Sequence, residues 1–310
     1  MPYVKAYEDI ANPRVRRDIP NGFIGHSSRF INEPEDKNTD SPQCFLAEGA
    51  PNEGLRTHFH IVDQFQLVWN GGGTLGKHKL VPGAVHFARA YTPYGPIRNG
   101  AESGVGYLTM RARRDPGAQW IPEAREKLEK IENRKPWQVT VMPELGLDLG
   151  GKDVVTKPME GLTGQPGLAG WSIKMKPGAK FVAPDPSKGD GQYIVVMSGS
   201  IQHEGKDKKG LAIVWVGRNE KSFEIVAGES GMEGLIMNFP VPGDASEPKP
   251  AAAAADLKTW MCVICGFMYE ESEGIPDEGI APGTRWADVP DDFGCPDCSA
   301  TKADFEMVEI

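Results

Sequence analysis

Long hydrophobic runs are absent from this chain of 310 residues. No apolar stretch approaches the roughly 20 residues that span a bilayer, so no membrane-spanning helix and no membrane partner are expected. The opening Met1-Pro2-Tyr3-Val4-Lys5-Ala6-Tyr7-Glu8-Asp9 has no apolar h-region, which predicts no secretory leader. Cysteine is scarce: there are five, four sit in two C-terminal pairs, and Cys44 stands alone. A disulfide framework is therefore not expected, a reducing cytoplasmic location fits, and Cys44 reads as an inert, partly buried thiol. A basic stripe is also lacking, and with a net charge of −9 a nucleic-acid partner is not expected. The negative charge is concentrated. Residues 256–310 hold 13 acids and 3 bases, whereas the rest of the chain holds 30 and 31. An acidic field of this kind can steer a basic redox partner, or simply keep a small domain soluble.

The four paired cysteines are the most specific feature present. Cys262-Val-Ile-Cys265 is separated by 29 residues from Cys295-Pro-Asp-Cys298. Two CxxC turns at this distance can place four thiolates around one metal ion. Trp260, Phe267 and Tyr269 flank the first pair. Pro282-Gly283-Thr284-Arg285-Trp286 and Asp288-Val289-Pro290-Asp291-Asp292-Phe293-Gly294 lead to the second. This pattern resembles rubredoxin across nearly all of residues 260–310. The resemblance implies one iron in a four-thiolate cage, an aromatic core beneath it, and single-electron transfer. Ser299 stands where rubredoxins usually carry glycine, which predicts a change in one N–H···S contact or in the turn behind it. A structural zinc ribbon is the alternative, because thiolates also bind zinc well. Upstream, residues 242–257 are rich in proline and alanine without apolar period and read as a tether. Such a tether holds the small domain at an effective concentration of about millimolar around its neighbour.

A second metal site is expected upstream of the tether. In Thr57-His58-Phe59-His60 the two histidines are two residues apart, so on a strand their imidazoles share a face. Gln64 has the same parity, and His86 follows the Pro82-Gly83 turn by three residues. Three imidazoles converging inside a barrel suit iron(II), manganese, nickel, copper or zinc. The spacing resembles the two cupin motifs, with Gln64 in the position of the usual glutamate, Gly71 as the closing glycine, and Gly83 with His86 as the second motif. Pro82 and Gly54 are shifted from the family pattern, and Ala90 replaces its asparagine. The resemblance implies that His58, His60 and His86 bind a divalent metal, with Gln64 as a weak fourth ligand or a hydrogen-bonding support. A glutamine cannot serve as a base. His26, His78 and His203 read as surface or loop histidines. Gly71-Gly72-Gly73-Thr74-Leu75-Gly76 satisfies a dinucleotide-binding pattern formally, but a short strand and a turn follow it where a helix is required, so it reads as a hairpin.

Residues 121–136 carry an amphipathic stripe of Ala124, Leu128 and Ile131, with Pro122 at the start and Pro136 at the end, which predicts the one substantial helix. Beyond it, Trp171–Met175, Tyr193–Met197, Leu211–Val216, Phe223–Val226 and Leu235–Phe239 are short β-like runs between turns. Gly178 to Asp185 with Gln192 and Gly199 echoes the first cupin motif without its histidines. The expected fold is mainly β: a metal-binding cupin (1–120), a connecting helix (121–136), a degenerate second cupin (137–241), a linker (242–257) and a rubredoxin-like domain (258–310).

Together the resemblances imply a non-haem iron oxygenase, most simply a dioxygenase, acting with O2 on a small organic molecule and supplied with electrons by its own rubredoxin. A reductase dependent on NAD(P)H would be the external donor, and a homodimer is a further expectation. Trp69, Phe87, Tyr91, Tyr94 and Arg89 flank the motifs; aromatics in a β-barrel read first as core, and the alternative is a platform for an aromatic or carboxylate substrate. By alternation His86 faces the barrel interior, which sends Phe87 and Arg89 outward. Two other classes stay open: a cupin isomerase, decarboxylase or hydrolase with a structural zinc ribbon, and a non-catalytic redox- or metal-responsive binding protein.

Overall fold

The computed structural model describes residues 1–19, 22–31, 40–131, 136–242, 257–275, 278 and 280–308. Strands dominate because β-branched and aromatic residues alternate with polar ones between Gly and Pro turns. In the first barrel a seven-stranded antiparallel sheet runs in the order Gln138–Val141, Val85–Ala88, Gln64–Gly71, Val105–Arg111, Gln43–Gly49, Ile24–Arg29, Val15–Asp18. A second, four-stranded sheet contains the hairpin Gly73–Leu75 with His78–Leu80, as expected for the glycine-rich segment.

The second barrel is an eight-stranded sheet built on two long strands, Gln192–His203 and Glu224–Asn238. Its interior is apolar, filled by residues such as Ile173, Ile194, Val214, Ile225 and Ile236. Among the described residues it gathers no cluster of metal-ligating side chains.

Alternation along each strand divides the labour between two cores. On one face Phe65, Leu67, Val85, Phe87, Leu108 and Met110 pack against Tyr193, Val195, Ile213, Leu235 and Phe239 of the second barrel. On the other face Val68, Ala84, Ala88, Tyr94 and Tyr107 line the inside of the first barrel. Phe87 therefore points outward and His86 inward, as the period of two requires. Cys44 is buried in the core between the barrels.

Two strands cross the expected boundaries. Tyr3–Ala6 pairs with Ala212–Val216 and so completes the second barrel instead of the first. Gln138–Val141 pairs with Val85–Ala88 and belongs to the first barrel, although residues 137–241 were expected to form the second. Each barrel thus closes one edge with a strand from the other half of the chain, leaving fewer unpaired backbone groups exposed.

The connecting helix is shorter than its stripe suggested. It covers Arg125–Glu129, and Ala124 at its start offers no side-chain cap to the first turn. Residues 132–135 of the expected helix lie outside the described residues, as does most of the expected 242–257 tether. Among the described residues no helix is long and apolar enough to cross a membrane.

The C-terminal domain is a three-stranded sheet, Met268–Glu270, Thr259–Cys262 and Phe305–Val308. Trp286 anchors its core, with ring centroids 4.6 Å from Phe305, 5.2 Å from Tyr269, 5.3 Å from Trp260 and 5.7 Å from Phe293.

Candidate metal centres

His58 and His60 stand on and just beyond the two-residue strand His58–Phe59, with ring centroids 5.2 Å apart. Each ring is held through Nδ1. His58 Nδ1 lies 2.7 Å from the Arg56 carbonyl, and His60 Nδ1 lies 2.7 Å from Asp115 Oδ1. His86 Nδ1 is 3.0 Å from Thr140 Oγ1, and its Nε2 is buried with no hydrogen-bond partner. Acceptors at Nδ1 favour the tautomer with the proton there; the Nε2 lone pair is then unengaged on His86, whereas His58 Nε2 faces the Tyr94 hydroxyl at 3.1 Å and His60 Nε2 lies 3.2 Å from Arg111 Nη2.

Burial keeps all three rings neutral. It lowers the His58 pKa to about 3, helped by the nearness of His60, since both rings cannot readily take up a proton together. Burial and then the Arg111 guanidinium lower His60 to about 4. Burial and then His78 lower His86 to about 3.

Gln64 does not behave as a free ligand. Its Oε1 accepts from Arg111 Nε at 2.9 Å and from Nη2 at 2.6 Å, and its Nε2 donates to the Tyr94 hydroxyl. The Tyr94 hydroxyl in turn lies 3.1 Å from His58 Nε2. The hydrogen bonds therefore run from Arg111 through Gln64 and Tyr94 to His58 and end on the Arg56 carbonyl. Burial pushes the Tyr94 phenol up, so it remains a proton donor. Asp115 also accepts from Ile61 N and Gly117 N. Burial raises its carboxyl, but the hydrogen bond from His60 and then the Arg111 guanidinium outweigh that and hold it below the ordinary carboxylate range.

Three neutral imidazoles fit a divalent metal in donor type, and the unpartnered Nε2 of His86 supports that fit, while at His58 and His60 a metal would have to displace the Tyr94 and Arg111 contacts. The arrangement departs from the expected convergence in one respect. Among the described residues the three histidines do not bring one ligand nitrogen each within 4.8 Å of one another. Tyr94 packs against all three rings, at centroid distances of 4.6 Å to His58, 5.2 Å to His86 and 6.2 Å to His60. His58, His60 and Gln64 line a cavity of about 570 Å³. His86 lines a separate void of about 10 Å³, with Gln66, Tyr107 and Thr140.

Arg111 and Asp115 were not singled out from the sequence. The available signal was Arg111 at the end of Val105–Arg111, on the inward parity shared with Tyr107 and Thr109, where a charge demands a partner.

The cysteine site is closed. Cys262 and Cys298 sulfurs are 3.7 Å apart, Cys265 and Cys295 sulfurs 3.5 Å, and all four lie within 4.8 Å of one another. A tetrahedron with metal–sulfur bonds of about 2.3 Å has edges of about 3.8 Å, so one ion fits. Hydrogen bonds from the Cys265 and Cys295 side chains and from the backbone N–H groups of Cys265 and Ile264 favour the Cys262 thiolate and pull its pKa down. Ser299 takes the glycine conformation, with φ 59°, and its N–H donates to the Cys295 carbonyl at 2.7 Å.

The rubredoxin family model matches residues 259–305. Rubredoxin-1 of Alcanivorax borkumensis is 65% identical over 54 residues, spanning all of that protein and 17% of this chain. The C-terminal domain is a rubredoxin. Rubredoxin from Acinetobacter baylyi is 56% identical, again over its full length and 17% of this chain. The four cysteines therefore form an iron-binding site. The barrels share their fold with a solved dioxygenase candidate from Nostoc punctiforme, at a TM-score of 0.53 and 11% identity, over 81% of this chain and 87% of that one. The chain is a double cupin-type barrel fused to a rubredoxin.

The rubredoxin packs against the first barrel through the loop that carries Cys262 and Cys265. Val263 is fully buried in a cluster with Phe59, Ile121, Ala124 and Leu128. Gly266 approaches Gly95 so closely that a Cβ at Gly266 would lie 1.5 Å from the Gly95 carbonyl oxygen. Gln138 Nε2 lies 3.5 Å from the Met261 sulfur, Arg125 Nη1 pairs with Asp304 Oδ1 at 2.6 Å, and Lys77 pairs with Glu270. The short helix thus presents its apolar stripe to the rubredoxin. Part of the rubredoxin's acidic surface is answered within the chain.

Proposed function

We propose that this protein is a cupin oxygenase, most simply a dioxygenase, whose fused rubredoxin delivers single electrons to the metal site of the first barrel, where each would return an oxidised ferric ion to the ferrous state. The carrying observation is the interface. The loop bearing Cys262 and Cys265 touches Phe59, which lies between His58 and His60, and Gly95, which follows Tyr94. A tethered carrier without a role at the barrel would not need its thiolate loop against the backbone of the histidine site.

His58, His60 and His86 would hold the barrel metal, which when bound supplies O2 activation and a Lewis acid. The chain's own residues do the rest. Asp115 and the Arg56 carbonyl fix the His60 and His58 rings, Tyr94 Oη holds a proton beside His58, and Gln64 ties Arg111 in place without acting as a base. The cavity of about 570 Å³ is large enough for a small organic substrate. Electrons would reach the rubredoxin from a reductase dependent on NAD(P)H.

Reoxidation tests the reading. The iron-loaded full chain is reduced anaerobically, mixed with O2, and followed by the visible absorption of ferric four-thiolate iron. The expected result is fast recovery of colour that slows in a His58→Ala/His60→Ala variant with an intact rubredoxin spectrum. Equal rates in both proteins would sink electron delivery, and a colourless zinc-loaded chain would sink the redox reading altogether.

A further inference from the structure

The strands of the first barrel leave a gap in its wall. Its seven-stranded sheet ends in Gln138–Val141 and its four-stranded sheet in His78–Leu80, and among the described residues these two end strands do not pair with each other. Between them lies a void of about 20 Å³, bounded on the barrel side by His78, Gln138 and Thr140 and on the other by Met261, Gly266 and Met268 of the rubredoxin. The rubredoxin therefore supplies the wall that the strands omit. Its fit there is close. Gln138 Nε2 lies 3.5 Å from the Met261 sulfur, Gly266 has no room for a side chain beside Gly95, and Lys77 pairs with Glu270. Methionine, unbranched and flexible, fills an irregular gap of this kind well.

Directly behind this wall stands His86. It pairs in register with Thr140, and its Nδ1 lies 3.0 Å from Thr140 Oγ1. The void of about 10 Å³ beside His86 shares Leu75 and Thr140 with the interface void, so those two side chains stand between the two spaces. The large cavity is lined by His58 and His60 and not by His86. One water needs about 10–15 Å³, so each small void is limited to about one water. Neither a hydrated metal ion nor an organic molecule passes at that size. The buried, unpartnered Nε2 of His86 is reached from this side only when the rubredoxin lifts. Side chains such as Leu75 and Thr140 rotate far faster than domains move, so docking sets the pace of entry.

From this juxtaposition we infer that the rubredoxin is a gate over a second opening of the first barrel, and that its docking controls the access of metal ions and other small solutes to His86. Docked, it keeps His86 dry and would retain an ion held there. Lifted, it opens the gap between Gln138–Val141 and His78–Leu80 to exchange. The large cavity serves His58 and His60 in either state. The gate requires no electron transfer, so it goes beyond the proposed delivery of electrons and does not depend on it.

The test is labelling of the EDTA-treated full chain with diethyl pyrocarbonate at neutral pH, read histidine by histidine by mass spectrometry. Two variants loosen the gate: Val263→Asp places a charge in the apolar contact, and Lys77→Glu sets like charges against each other at Glu270. Both are checked by circular dichroism and by an unchanged rubredoxin spectrum. His86 labelling should rise about ten-fold in the first and about three-fold in the second, following the fraction of time the gate is open, while His58 and His60 keep their rates. Adding Glu270→Lys to Lys77→Glu should return His86 to its original rate. A His86 rate unchanged in both variants, a rise shared equally by His58 and His60, or a rise that Glu270→Lys does not reverse would overturn the inference. Reoxidation rates enter none of these outcomes, so the gate and electron delivery fail separately.

Discussion

Acidification strikes the first barrel through its three buried histidines. In the unfolded chain each imidazole titrates near 6.5, whereas folding lowers His58 and His86 to about 3 and His60 to about 4. The unfolded chain therefore binds these protons at a higher pH than the folded one. The folded state is at full stability above about pH 6.5 and loses it steadily as the pH falls, until the folded imidazoles take up protons near 3–4. At pH 5 the loss is about 2 kcal/mol for each ring, or about 6 kcal/mol for the three, against a typical domain stability of about 5–15 kcal/mol. Asp115, whose carboxyl is held low, keeps its contribution at pH 5 and loses it only below the carboxylate range. The measurement is urea denaturation of chelator-treated protein at pH 7.5 and pH 5, followed by far-ultraviolet circular dichroism. The barrel transition should move to markedly lower urea at pH 5, and His86→Leu should remove about a third of the shift. A midpoint that stays put between the two pH values would refute the claim that these rings are buried and neutral.

Three further outcomes follow from the geometry. Gln64→Leu strips two acceptor contacts from buried Arg111 and should cost about 2–3 kcal/mol in denaturation, while Gln64→Glu, which keeps an acceptor for Arg111, should cost less. Ser299→Gly relieves a left-handed backbone position and should stabilise the rubredoxin by about 0.5–1 kcal/mol, read as slower loss of iron colour in denaturant; faster loss would contradict the strain argument. Val263→Asp buries a charge among Phe59, Ile121, Ala124 and Leu128 and should undock the rubredoxin without bleaching it. Small-angle scattering would show a larger radius of gyration, and an unchanged radius would count against the interface.

Local chemistry was the legible part of this protein. The two CxxC pairs announced a four-thiolate cage because each pair sits on a tight turn, and the sulfurs are indeed gathered at one point. The His58/His60 spacing put both rings on one cavity, and the alternation around His86 sent Phe87 into the core between the barrels. Gln64 was weighed as a ligand or a supporting hydrogen-bond partner, and its contacts are with Arg111 and Tyr94. Tyr94 was noted only as a flanking aromatic, yet it packs against all three imidazoles. Arg111 lies 47 residues from Gln64, and no local pattern ties such distant positions together.

By itself the sequence determined the metal-binding turns, the faces of the strands, the acidic character of the C-terminal domain and the identity of that domain. These depend on residues a few positions apart, where the backbone period alone decides which side chains meet. Only the tertiary structure decided that Tyr3–Ala6 completes the second barrel and Gln138–Val141 the first. It also decided that the Cys262–Cys265 loop rests beside the histidine site. Those outcomes pair segments dozens to hundreds of residues apart. They are selected by shape, burial and the satisfaction of backbone hydrogen bonds across the whole fold, which no short stretch of sequence contains.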